Sequence, residues 1–120
     1  MKLTNNQIYS YATNLALFGI EQKLPIRINF FLQKNIQVLL ALAQDIDNSR
    51  LEIAKQYGAL NEDSTAYSIP DDKIELVASE LNDLFNLEQD VNIRKFNIND
   101  FTNIDLTYKQ MSALMFMMEE

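Results

Sequence analysis

Ile8, Tyr11, Ala12, Leu15 and Phe18 recur every three or four positions, the spacing that lines one face of a helix. Leu3-Thr4-Asn5-Asn6-Gln7 introduces this run. Thr4 can cap, Gln7 can reach back from three residues on, and Leu3 can staple onto Ile8. A first helix is therefore predicted over residues 5–18, with Gly19 able to take the left-handed conformation that ends it. Pro25 then occupies a tolerated first helical position, and no Gly or Pro follows until Gly58, so one long helix is predicted over residues 26–57. Its apolar stripe is Ile28, Phe31, Leu32, Ile36, Leu39, Leu42, Ala43, Ile46, Ile53 and Tyr57. Lys34, Gln37, Gln44, Asp45, Asn48, Glu52 and Lys55 fall on the opposite side. Val38 and Leu40 widen the stripe at its centre, as expected of a helix covered on most sides there. At 1.5 Å per residue the rod is about 45 Å long. One end should project from a small domain or meet a second copy.

Beyond Gly58, Asn61-Glu62-Asp63-Ser64 reads as a turn and residues 66–69 as a short strand. Pro70-Asp71-Asp72 opens a third helix. Its predicted inner face is Ile74, Val77, Ala78, Leu81, Leu84 and Phe85, with carboxylates outside. From Val91 to Phe101 the period shifts towards two, which suggests a strand bulged at Arg94-Lys95. Thr107 and Gln110 repeat the first capping pattern. They open a last helix over residues 108–118 that should bury Met111, Leu114, Met115 and Met118. The expected fold is a single α+β, mostly α domain: a long antiparallel helical hairpin with a short N-terminal helix, a small two-stranded β element and a C-terminal helix.

Charge changes this picture more by its placement than by its total of -7. Residues 1–60 carry six basic and four acidic side chains, residues 61–90 one and nine, and residues 91–120 three and four. Scattered cations such as Lys23, Arg27 and Lys34 make no basic stripe, so direct nucleic-acid binding is not expected. The acidic run reads most simply as a solvated helix face. Its functional reading is a column of carboxylates, Asp71, Asp72, Glu75, Glu80 and Asp83, offered to a basic groove in a partner. Asp71, Asp72 and Glu75 could also hold a hard cation, but acids in a first helical turn already complement the helix dipole, and no metal site is expected.

Histidine and cysteine are both absent, which removes the commonest general base, every Ser-His or Cys-His pair and thiolate zinc sites. Two glycines, Gly19 and Gly58, cannot write a phosphate-cradling loop. No catalytic residue and no cofactor is expected. The N-terminal residues lack a basic stretch followed by an apolar core, and no segment is apolar over a bilayer's length, so neither export nor membrane insertion is expected. Phe116 and Met117 fall off the predicted inner face of the last helix and would form an adaptable apolar patch for a partner or a second copy.

The segments Lys23-Leu24-Pro25-Ile26-Arg27-Ile28-Asn29-Phe30, Ile53-Ala54-Lys55-Gln56-Tyr57-Gly58 and Leu106-Thr107 through Met115-Phe116-Met117 carry a family likeness. The chain resembles a family of short proteins of unknown function from tailed phages and prophages of low-GC Gram-positive bacteria. The likeness spans nearly the whole length, and its motifs are packing and capping motifs with no catalytic residues to transfer. It implies phage origin and little about mechanism. The expected place is the cytoplasm of an infected or lysogenic host, or the virion, and the expected partner is a protein of phage or host. Two functions compete with a third. The first is a non-catalytic accessory protein of virion assembly or the late gene programme. The second is an inhibitor of a host defence or host enzyme that acts through the acidic face, and the third, least favoured, is a metal-dependent hydrolase.

Overall fold

A computed structural model describes residues 1–18, 24–60, 66–102 and 104–119. The chain opens with β1 (Lys2–Thr4) and α1 (Asn5–Phe18), where Thr4 and Gln7 close the expected capping box at 2.9 and 3.1 Å. Leu3 and Ile8 are both buried, as the staple requires. The expected stop at Gly19 lies outside the described residues, as does the turn at residues 61–64. The second helix, α2 (Ile26–Tyr57), has the predicted bounds. Ile28, Leu32, Ile36, Leu39, Ala43 and Ile46 are buried, while Phe31, Leu42, Ile53 and Tyr57 are half-buried at the margins of the same stripe. Complete burial of Leu32 or Leu39 contributes about 2 kcal/mol each relative to exposure.

Gly58 ends α2 by close approach: a Cβ there would lie 2.8 Å from the Ala54 carbonyl and 2.9 Å from that of Ser68. The chain reverses through the antiparallel pair β2 (Ala59–Leu60) and β3 (Tyr67–Ser68), takes a 3-10 turn at Asp71–Lys73, and enters α3 (Ile74–Asn86). α3 runs back along the C-terminal half of α2 and reaches Tyr9 of α1 through Phe85, whose ring meets that of Tyr9 edge-on at 6.1 Å. This forms the expected antiparallel hairpin. The buried face of α3 is thinner than the spacing suggests: none of its residues is fully buried, and Ile74 is half in solvent. α3 packs against α2 and α1, while Ile74 and Leu76 of its first turn stand about half in solvent.

After α3, β4 (Glu88–Asp90) pairs antiparallel with β1, and the predicted strand over residues 91–101 shrinks to β5 (Phe96–Asn97). Arg94-Lys95 is not a bulge in a ladder, because Asn35 of α2 takes the place of the neighbouring strand. Its Oδ1 accepts from the Arg94 N–H at 3.0 Å and its Nδ2 donates to the Arg94 carbonyl at 2.9 Å. A 3-10 turn at Ile98–Phe101 follows, with its own capping box between Asn97 and Asp100. α4 (Tyr108–Leu114) starts at the predicted Thr107/Gln110 box, then tightens into a 3-10 turn at Met115–Met117. The chain leaves as β6 (Met118–Glu119), parallel to β5.

The fold is therefore α+β and mostly α, with three separate two-stranded ladders among the described residues where one was expected. It measures 55 × 30 × 22 Å, and its radius of gyration of 17.9 Å exceeds the roughly 14 Å of a compact domain of this length. No described helix is long and apolar enough to cross a membrane.

Candidate interaction surfaces

The acidic segment is brought together only in part. Asp71 and Asp72 lie in the 3-10 turn and Glu75 in the first turn of α3, where carboxylates complement the unpaired N–H groups of a helix start. All three are exposed, as is Asp83 two turns after Glu75 on the same face. Glu80 departs from the column. It is half-buried against α2, and its Oε1 accepts a 2.8 Å hydrogen bond from the Tyr57 hydroxyl. That bond, then desolvation, then the carboxylate's charge, raises the Tyr57 phenol above its ordinary pKa of 10.0. Among the described residues, no three acids stand close enough to hold a metal ion. Four carboxylates thus remain on the outer surface, and the fifth ties α3 to the end of α2.

The C-terminal patch needs correction. Met117, expected to be exposed, is fully buried, and Phe116 is half-buried with its ring stacked on Tyr11 at 3.9 Å and 2°. Met115, expected inside, is 64% exposed, and Met111 and Met118 are half-buried. The buried set Ala113, Leu114 and Met117 lies one residue out of phase with the predicted one, a rotation of about 100°. Two contacts fix that phase. The Met117 sulfur accepts from Asn35 Nδ2 at 3.1 Å, and the Tyr11 ring takes one face of Phe116. Tyr108 and Met115 are the large apolar side chains that α4 and its 3-10 turn expose in their place.

A further surface lies on the N-terminal half of α2. The Arg94 guanidinium sits 3.8 Å from the Phe31 ring centroid, and the Lys34 ammonium lies 5.1 Å from that of Phe30. Arg27 pairs with Asp100 at 3.2 Å. Phe31 and Arg94 share a cleft of about 460 Å³ with Lys34, Gln37 and Asn92. The Phe30 and Lys34 pair was legible as an i, i+4 contact. The Arg94 contact was not, because it depends on Asn35 holding a distant irregular segment against the helix. No family model, no curated protein and no solved structure matches this chain.

Proposed function

We propose that this chain is a non-catalytic accessory protein of a phage, working by protein–protein contact in virion assembly or the late gene programme. The phage setting rests on the sequence resemblance. The observation that carries the contact reading is the outer side of α2, where large apolar side chains stand in solvent along the longest element of an elongated body. A scaffold of this kind offers length and contact area, which suits recognition between subunits.

The reading is tested by affinity capture from infected or lysogenic cells, followed by reconstitution from purified components. A phage-encoded partner that reassembles at fixed stoichiometry is the expected result. A purified chain that turns over a substrate, silenced by one carboxylate or tyrosine substitution that leaves the circular dichroism unchanged, overturns it.

The second reading, an inhibitor that occupies a cationic site of a host protein, is favoured by one observation: Asp71, Asp72, Glu75 and Asp83 are all exposed. Reversing these four charges should abolish capture of such a target, and raised salt should weaken it steeply. Capture that survives both changes removes this reading.

A further inference from the structure

The chain holds 17 acidic and 10 basic side chains, yet four of the ten gather round one ring. Arg27, Lys34, Arg94 and Lys95 line two adjoining clefts that share Phe31. Arg27 is neutralised by Asp100 at 3.2 Å; among the described residues, Lys34, Arg94 and Lys95 are in no ion pair. The fold builds this cluster from two distant segments. Asn35 holds both backbone polar groups of Arg94 against α2, and the Phe31 ring covers the guanidinium at 3.8 Å. Arg94 and Lys34 are nevertheless both exposed, so the planar fork of N–H donors is fixed in place without being neutralised. A guanidinium held in this way, with an ammonium beside it and Phe31 and Val38 as apolar walls, suits a carboxylate that has apolar neighbours.

The start of α3 has the matching chemistry. Asp71, Asp72 and Glu75 are exposed and, among the described residues, in no ion pair. One half-buried cation, Lys73, stands among them, and Ile74 and Leu76 project half into solvent beside them. This surface lies far from the cleft of its own molecule. β3 pairs with β2 directly after Gly58, so α3 begins at the far end of α2, about 20 residues and 30 Å beyond Val38.

We propose that the cleft of Phe31, Lys34 and Arg94 docks the acidic start of α3 from a second copy of the chain. The inference rests on the protein-contact reading above and names the partner and the two surfaces that meet. A free anion would engage the cations but leave Phe31 and Val38 bare, and a nucleic-acid backbone would run on from the cleft across a chain of net charge -7. The second copy supplies carboxylates and exposed apolar side chains together. Its own negative charge does not forbid the contact. Salt screens charges beyond about 8 Å at physiological strength, so the groups at the contact outweigh those along the rest of a 55 Å body. Made end to end, the contact builds a row; made twice between antiparallel copies, it closes a pair.

Sedimentation equilibrium of the full chain should show a mass that rises with concentration at physiological salt and falls back towards the monomer as salt is raised. Lys34→Glu with Arg94→Glu removes the receptor. Asp71→Asn with Asp72→Asn and Glu75→Gln removes the ligand, and each variant alone should associate more weakly by roughly tenfold or more. Mixed, the two should form a one-to-one complex that grows no further, because one intact cleft and one intact acidic start remain between them. Circular dichroism checks that both keep their helices. Should the double variant lose them, Lys34→Glu alone leaves the Arg94 and Phe31 stack untouched and should still weaken association. A wild-type monomer at every concentration overturns the proposal, as does association that either variant leaves unchanged, or a mixture whose members stay apart. A monomeric wild type whose complex with another protein is lost in the cleft variant gives the cleft a different acidic occupant; self-docking is then wrong while the protein-contact reading stands. Association that meets every expectation in a chain that also turns over a substrate overturns the non-catalytic reading alone.

Discussion

The two halves of α2 are packed by different means, and each is served by one buried asparagine. The C-terminal half lies against α1 and α3, which satisfy their own backbone groups, so there Asn5 has only to close helix ends. Its Nδ2 donates to the Leu84 carbonyl in the last turn of α3 at 2.8 Å, and its Oδ1 accepts from Gln89 at 2.6 Å. The N-terminal half lies against the irregular segment from Val91 to Phe101 and against Met117 of the 3-10 turn that follows α4. An irregular segment arrives with unpaired backbone, and Asn35 supplies what a strand would have supplied, bonding both the N–H and the carbonyl of Arg94 and reaching the Met117 sulfur as well. The same residue type is a clasp at one end and a substitute strand at the other.

That contrast is broken most directly by truncating Asn35. Asn35→Ala strands two backbone groups that cannot turn to water without moving the segment, and it empties the site beneath Met117. A loss of about 3 kcal/mol is expected by urea denaturation. Asn35→Asp keeps the acceptor but removes the donor, and should recover part of the loss at most. Asn5→Ala should cost less, about 2 kcal/mol, because the side chain of Gln89 is half-exposed and can rotate to solvent. Equal losses at the two sites would show that the irregular segment gains no special support from Asn35.

How much of this was legible follows the same division. α1 and the whole of α2 could be read because a stripe such as Ile28, Leu32, Leu39 and Ile46 reports burial through spacing alone. The two Thr-x-x-Gln boxes were equally legible, since a capping box is local chemistry. Asn35 was not, because a polar residue within an apolar stripe gives no sign of a partner that lies 59 residues away. The phase of the last helix failed for the same reason: Leu114, Met115, Met117 and Met118 are interchangeable by hydrophobicity, and Asn35 and Tyr11 chose among them. The acidic column was visible as composition, but the inward turn of Glu80 depended on a tyrosine 23 positions earlier. Leu40, read with the core because it is apolar beside Leu39, is 45% exposed.

The caps extend the comparison. Thr4 and Thr107 make equivalent boxes, but α1 has 14 residues and is bounded by a paired strand, while α4 has seven and passes into a 3-10 turn. A short helix depends more on its ends. Thr107→Ala should cost about 1 kcal/mol and lower the helical signal near the C-terminus, whereas Thr4→Ala should cost about half as much. Amide exchange resolved by segment checks this, and faster exchange confined to α1 in both variants would contradict it.

The smallest expected effect is a pH dependence carried by one half only. The Tyr57 phenol donates to Glu80, so its pKa is raised in the folded chain relative to the unfolded value near 10.0. The protonated phenol is the form that folding prefers. Its contribution is therefore complete below pH 10.0 and is lost as pH rises through the folded value. Tyr57→Phe removes the bond at every pH, so the wild type should fall more steeply than the variant above pH 10.0, while the two run parallel below it. Absorbance at alkaline pH should show one of the five tyrosines, Tyr57, ionising above the ordinary value of 10.0. Every other group is common to both proteins and cancels in the difference. The loss belongs to the end of α2 that α3 covers, so exchange should quicken in α3 while the segment held by Asn35 keeps its protection. Quickening at both ends together would mean that the two halves of the helix unfold as one unit, whatever the difference in how they are packed.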